Sequence, residues 1–162
     1  MSAIGSYALV TRTGFQACLA LARQVRSETT GKWMFKKSRV AGIEEFRKAW
    51  HAAVVQEVDF DYSGYVIGNY LDAQNTVNRV RLIDEQSEVA KTLSKVFTAG
   101  FPFEAPVSLP DLPQEELLAF CREEYGEDDA AGMLEAINAA HSFYQHGLEA
   151  ITPEHLVVFI IE

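Results

Sequence analysis

The chain is poor in cysteine, poor in basic residues toward its C-terminus, and has no long apolar run. Each shortage excludes a class of protein. Among 162 residues there are two cysteines, Cys18 and Cys121, too few for the disulfide framework of a small secreted domain. Both fall in apolar stripes of helical spacing, where a thiol packs as a small hydrophobe. No apolar run exceeds six residues (17–22 and 156–161), far short of the roughly 18 that a membrane-spanning helix needs. The opening MSAIGSYALVTRTGF has no charged segment leading into an apolar one, so no signal peptide is read there. A single domain in the reducing cytoplasm, away from membranes, is the expectation.

Catalytic motifs are lacking too. The sequence has no H-E-x-x-H, paired C-x-x-C, P-loop, G-x-S-x-G or Rossmann glycine pattern. The histidines are His51, His141, His146 and His155, without metal spacing. His141 and His146 are five apart, which puts them on different faces of a helix. No cofactor is expected, and a nucleophilic role for either cysteine would need a histidine brought near it by the fold. Oligomeric state is not encoded in any of these patterns.

What is present begins with charge. The net charge is −9, unevenly spread. Residues 1–50 hold nine Lys or Arg against three acids, and residues 101–162 hold Arg122 alone against thirteen acids. An acidic chain repels nucleic acid and anionic membranes and attracts basic partners. The same asymmetry also suits two ends of one fold attracting each other.

Apolar spacing gives the elements. Residues 5–10 read as a strand. Thr13 and Gln16 have capping-box spacing before Phe15, Cys18, Leu19, Ala22 and Val25, so a helix is read from about Thr13 to Arg26, closed by Ser27 to Gly31. Residues 32–37 read as a second strand. Ile43, Phe46, Trp50, Ala53 and Val54 mark a helix ending near Glu57. Residues 65–70 suit either strand or helix. Asp84 reads as the cap of a helix carrying Val89, Leu93, Val96 and Phe97. Four prolines within residues 100–113 predict an irregular connection. Helices follow at about 114–125 and 128–150. The uninterrupted apolar run of residues 155–161 fits a strand buried on both faces, in the middle of a small sheet. The class is α+β: a small sheet including the N- and C-terminal strands, packed against several helices.

Several stretches resemble the YfbM-like family of small bacterial proteins without assigned function. They are Ile4-Gly5-Ser6-Tyr7, Lys48-Ala49-Trp50-His51-Ala52, Arg81-Leu82-Ile83-Asp84 and Phe143-Tyr144-Gln145, followed by the apolar terminal strand. The resemblance implies an α+β fold and no catalytic residues. The DFDYSGY segment and the proline-rich connection are not features of that family.

Three segments are candidate sites. In DFDYSGYVIGNY, residues Asp59, Asp61, Ser63 and Gly64 match the start of an EF-hand loop, but position twelve is Tyr70, where a bidentate Glu is required. The simpler reading is a strand, with Phe60 and Tyr62 inward and Asp59 and Asp61 outward, turning at Ser63-Gly64 on a positive-φ glycine. A recognition surface of Asp59, Asp61, Tyr62 and Tyr65 is the third reading. Lys32, Trp33, Phe35, Lys36, Lys37 and Arg39 interleave bases with rings, as a nucleic-acid reader would. On so acidic a chain, a strand with solvated lysines is the better account. Glu123, Glu124, Glu127, Asp128 and Asp129 form the densest acidic run. Gly126 there reads as a helix C′ residue and Asp128 as the next N-cap.

Together these point to a non-catalytic binding protein, most concretely an immunity-type inhibitor of a basic bacterial toxin, a nuclease for example. Contacts would come from residues 123–129 or from Asp59, Asp61, Tyr62 and Tyr65. The alternative is a metal-dependent enzyme using Asp59 and Asp61.

Overall fold

The computed structural model describes residues 3–30, 37–78, 82–83 and 87–162. The expected strand over residues 32–37 and the cap at Asp84 therefore lie largely or wholly outside the described residues. In chain order the elements are β1 (Ile4–Thr11), α1 (Arg12–Gln24), β2 (Arg26–Thr30), β3 (Lys37–Ala41), α2 (Ile43–Ala53), β4 (Val54–Ser63) and α3 (Tyr65–Ala73). A π-helical turn over Gln74–Asn78 extends α3. Then come α4 (Glu88–Leu93), β5 (Ala99–Phe103), α5 (Gln114–Tyr125), α6 (Glu127–Glu149) and β6 (His155–Ile161).

Four strands form an antiparallel sheet in the order β4-β1-β6-β5. The first and last strands of the chain are its two central ones. Helices cover both faces, which is why β6 needs no polar alternation. Val157, Phe159 and Ile161 join one core with α3, α5 and α6. Leu156, Val158 and Ile160 join another with α1 and α2. Each such fully buried large side chain contributes about 1.5–3 kcal/mol. The α+β class, with a small sheet that includes both terminal strands, is as read from the sequence; their direct pairing is seen only in the fold.

Several local expectations are corrected. The cap of α1 is Thr11, whose Oγ1 accepts from the Gly14 N–H at 3.2 Å, not Thr13. The helix ends at Gln24, not Arg26, and the described part of the segment Ser27 to Gly31, expected to close it, belongs to β2, paired with β3. The second helix ends at Ala53, because Val54 already belongs to β4. The cap of α4 is Ser87, accepting from the Ala90 N–H at 3.1 Å.

The proline-rich connection begins with a strand, β5, in which Pro102 pairs in register with Val158. A missing N–H is tolerated there because β5 is the sheet's edge. Gly64 has φ −58°, not a positive value. A Cβ there would lie 3.0 Å from the Gly5 nitrogen and the Ile4 carbonyl carbon, so glycine is required for close approach. Gly126 does have positive φ, 87°, and is itself the N-cap of α6. Asp128 consequently lies inside the first helical turn.

Candidate functional site

β4 is an open sheet edge, and it carries most of the first candidate site. Glu57 and Asp59 stand opposite Ala8 and Ser6 of β1. Cross-strand partners share a face, so both carboxylates lie on the Ala8 side, where the α1–α2 core sits. Phe60 points the other way and packs on Phe143 of α6, ring centroids 4.9 Å apart. Tyr62 follows Phe60 at 5.6 Å. It is 38% exposed, so the expected inward aromatic face is buried at Phe60 and open at Tyr62. The Tyr62 hydroxyl donates to Glu135 Oε1 at 3.4 Å, and that carboxylate is the main cause of a raised tyrosine pKa.

The backbone is extended through Ser63. Asp59, Asp61 and Ser63 therefore lie along a strand and do not wrap a cation as a calcium loop does. Alternate residues on a strand are nearly 7 Å apart. Among the described residues no group of three or more His, Cys, Asp or Glu side chains could hold a metal ion. Charged side chains on an open edge also hinder edge-to-edge pairing with other chains, which is a structural use for Asp59 and Asp61.

Tyr65 opens α3 and is 62% exposed. Asp72 is seven residues on, hence on the same helix face, and is also exposed. At that end Asp72 and Glu124 help to raise the Tyr125 pKa, behind burial as the largest cause. The exposed face of α3 thus runs from the β4 candidates toward the end of α5, where the second candidate site begins.

In that second site Glu123, Glu124, Glu127, Asp128 and Asp129 are all exposed. Glu127 pairs with Arg122 at 3.1 Å. Among the described residues the other four have no ion-pair partner. Their helical positions differ in kind. Glu127, Asp128 and Asp129 occupy the first turn of α6, where the helix dipole favours acids. Glu123 and Glu124 occupy the last turn of α5, where it disfavours them.

Sequence reasoning did not reveal a buried polar chain between α3 and α6. Asn78 Nδ2 donates to Gln74 Oε1 at 3.2 Å, and Gln74 Nε2 donates to the Tyr70 hydroxyl at 2.7 Å. Tyr70 lies 2.9 Å from His141 Nδ1. Burial lowers the His141 pKa, against the pull of Asp111, and so favours a neutral ring able to accept the Tyr70 proton. Gln74 is 1% exposed and sits at the start of the π-helical turn. The Tyr144 hydroxyl is buried with no hydrogen-bond partner among the described residues. The cysteines are inert by contrast. Both are buried and free, burial raises both thiol pKa values, Cys18 to about 11, and neither has an imidazole partner among the described residues.

Comparison with protein-family models, with curated proteins and with solved structures gives no match to this chain. Among the described residues no helix is long and apolar enough to cross a membrane.

Proposed function

We propose that the chain is a non-catalytic binding protein that docks a basic protein on its acidic surface. In its most concrete form it is an immunity-type inhibitor that covers the basic cleft of a toxin, such as a nuclease. Such an inhibitor would act in the cytoplasm, a setting that suits two free cysteines. The observation that carries the reading is the placement of Glu123 and Glu124. They are exposed, lack a cationic partner among the described residues, and sit where helix electrostatics disfavours them. Helix stability does not account for them, whereas a positively charged partner does. Electrostatic matching of this kind mainly speeds encounter and selects partners.

The test uses three baits in the native lysate: the wild type, Glu123→Lys/Glu124→Lys and Asp59→Lys/Asp61→Lys. A basic protein should be retained by the wild type at about 0.05 M salt and released at about 0.5 M. It should be lost from at least one variant. With the purified pair, reversing two contact charges should slow association by about tenfold. Equal capture by all three baits, or capture of no basic protein, would overturn the proposal. No observation favours the metal-dependent alternative, since Asp59 and Asp61 gain no third ligand among the described residues.

A further inference from the structure

The fold leaves two open strand edges of opposite charge. β4 closes one side of the main sheet, and its ten residues hold Glu57, Asp59 and Asp61 with no base. Among the described residues its outer edge pairs with no other strand. β2 and β3 stand apart from that sheet and pair only with one another. They hold Arg26, Lys37 and Arg39 against Glu28. Lys37 and Arg39 occupy alternate positions of β3 and so share a face, in register with Thr30 and Glu28 of β2.

An open edge is a row of unpaired backbone groups, a template for another strand. A lone two-stranded hairpin is marginal in water and gains from a third strand. Each feature supplies what the other lacks. The alternatives fit less well. Two β4 edges would set acid against acid, which destabilises a strand pair. β5, the other edge of the main sheet, carries Pro102, which has no N–H to donate. β2 mixes Arg26 with Glu28. Only β3 joins an open edge to bases without acids. Val40 of β3 and Val55 of β4 are also exposed, at 42% and 57%, and a neighbouring strand would shield both. Within one chain β3 and β4 are separated by α2 and do not pair. The strand that fits β4 therefore comes from a second copy.

We propose that β3 of one copy pairs with the outer edge of β4 in a second copy, and reciprocally, to form a two-fold dimer. An antiparallel register with Arg39 opposite the second copy's Glu57 sets Lys37 opposite its Asp59. Opposite charges facing each other across a strand pair stabilise it. Arg39 then lies between Glu28 of its own hairpin and Glu57 of the other copy. Reciprocal exchange closes on itself, so assembly stops at two chains. The inference stands apart from the docking of a basic protein, since it occupies β4 and leaves residues 123–129 exposed.

The test is sedimentation equilibrium of the whole chain from about 1 μM to about 1 mM. The mass should rise with concentration from 18.1 kDa to twice that and no further. It should fall back at about 0.5 M salt, where exposed charges are screened. Lys37→Glu/Arg39→Glu sets acid against acid at the facing positions, and Glu57→Lys/Asp59→Lys sets base against base. Each variant alone should stay monomeric at concentrations where the wild type pairs. Mixed in equal amounts they should associate, because every edge again meets its opposite. Amide hydrogen exchange of the wild type needs no substitution: β3 and β4 should exchange more slowly in the concentrated sample than in the dilute one. A wild type that stays monomeric, variants that pair as well as it does, or β3 and β4 amides indifferent to concentration would overturn the proposal. So would a mixture of the two variants, shown by thermal melts to be folded, that fails to associate.

Discussion

Tyr144 lies flat on Phe159, ring centroids 4.0 Å apart and planes 6° from parallel. Phe159 is the hub of this core, also meeting Tyr7, Phe103 and Phe143. Gly147 lets α6 come this close, since a Cβ there would lie 2.7 Å from the Phe159 ring tip. The ring of Tyr144 is thus well used, while its buried hydroxyl has no partner among the described residues.

Removing that hydroxyl should cost nothing. Tyr144→Phe keeps the stack and deletes an unsatisfied polar atom, so stability should hold or rise by about 1 kcal/mol. Phe159→Ala should lose about 3–5 kcal/mol. Urea unfolding measures both. A Tyr144→Phe variant weaker by about 2 kcal/mol or more would mean the hydroxyl has a partner after all.

His141 gives a pH dependence of defined sign. Its pKa is lowered in the folded chain from the ordinary 6.5 by burial, with Asp111 pulling the other way and the Tyr70 hydroxyl facing Nδ1. Above 6.5 the ring is neutral in both states and contributes no slope. As the pH falls through 6.5 the unfolded chain takes up the proton first, so stability drops until the folded pKa is reached. Unfolding free energies at pH 7.5 and 5.5 should differ in that direction, and the difference should shrink in His141→Gln. An undiminished difference in that variant would assign the slope elsewhere.

The elements that could be read from sequence are those whose pattern is set by one strong burial requirement. The apolar run 156–161, rich in β-branched residues, reads as a strand covered on both faces, and β6 is one, whereas the equally long run 17–22, rich in alanine and leucine, lies in α1. Helix spacing gave α1, α2, α5 and α6 within a few residues. The misreadings came where neighbours decide. Pro102 reads as a breaker unless β5 is known to be an edge, and Gly64 reads as a positive-φ turn unless Ile4 and Gly5 are known to press against it. The acidic run and the helix end near residue 125 were both legible, but the exposure of Glu123 and Glu124 and their lack of an ion-pair partner among the described residues needed the fold. A groove lined by Phe46, Trp50 and Phe97 joins residues 43–57 to 96–97 and 162, which no stretch of sequence brings together.

Glycine substitutions should separate close approach from mere flexibility. Gly64→Ala places a methyl against backbone atoms that cannot yield easily and should cost about 1–3 kcal/mol. Gly132 lies inside α6 with nothing within 4 Å of an added Cβ, so Gly132→Ala should gain about 0.5–1 kcal/mol. Thermal or urea unfolding of the pair should give opposite signs. Two changes of the same sign would mean that the contact at Gly64 does not decide its cost.

Thiol reactivity should report unfolding alone. Cys18 and Cys121 are buried and their pKa values are raised, so little thiolate exists at neutral pH. A chromogenic disulfide should label neither thiol promptly in buffer and both in concentrated urea. Prompt labelling of one thiol in the native state would reveal access that the fold does not provide.

Charge reversal at the α5–α6 corner should separate stability from docking. Glu123 and Glu124 end α5, so replacing both with Lys puts cations where the dipole favours them. Stability should be unchanged or rise by a few tenths of a kcal/mol per site. Asp128 and Asp129 begin α6, and the same reversal there should cost about 0.3–1 kcal/mol each. Both effects should fade at about 0.5 M salt, because the residues are exposed. If this corner meets a basic partner, both double variants should slow its association, although one is at least as stable as the wild type and the other less. That divergence is what a docking surface predicts and a merely structural role does not. If Glu123→Lys/Glu124→Lys destabilises the chain, those carboxylates make internal contacts, and the proposed docking surface loses the observation on which it stands.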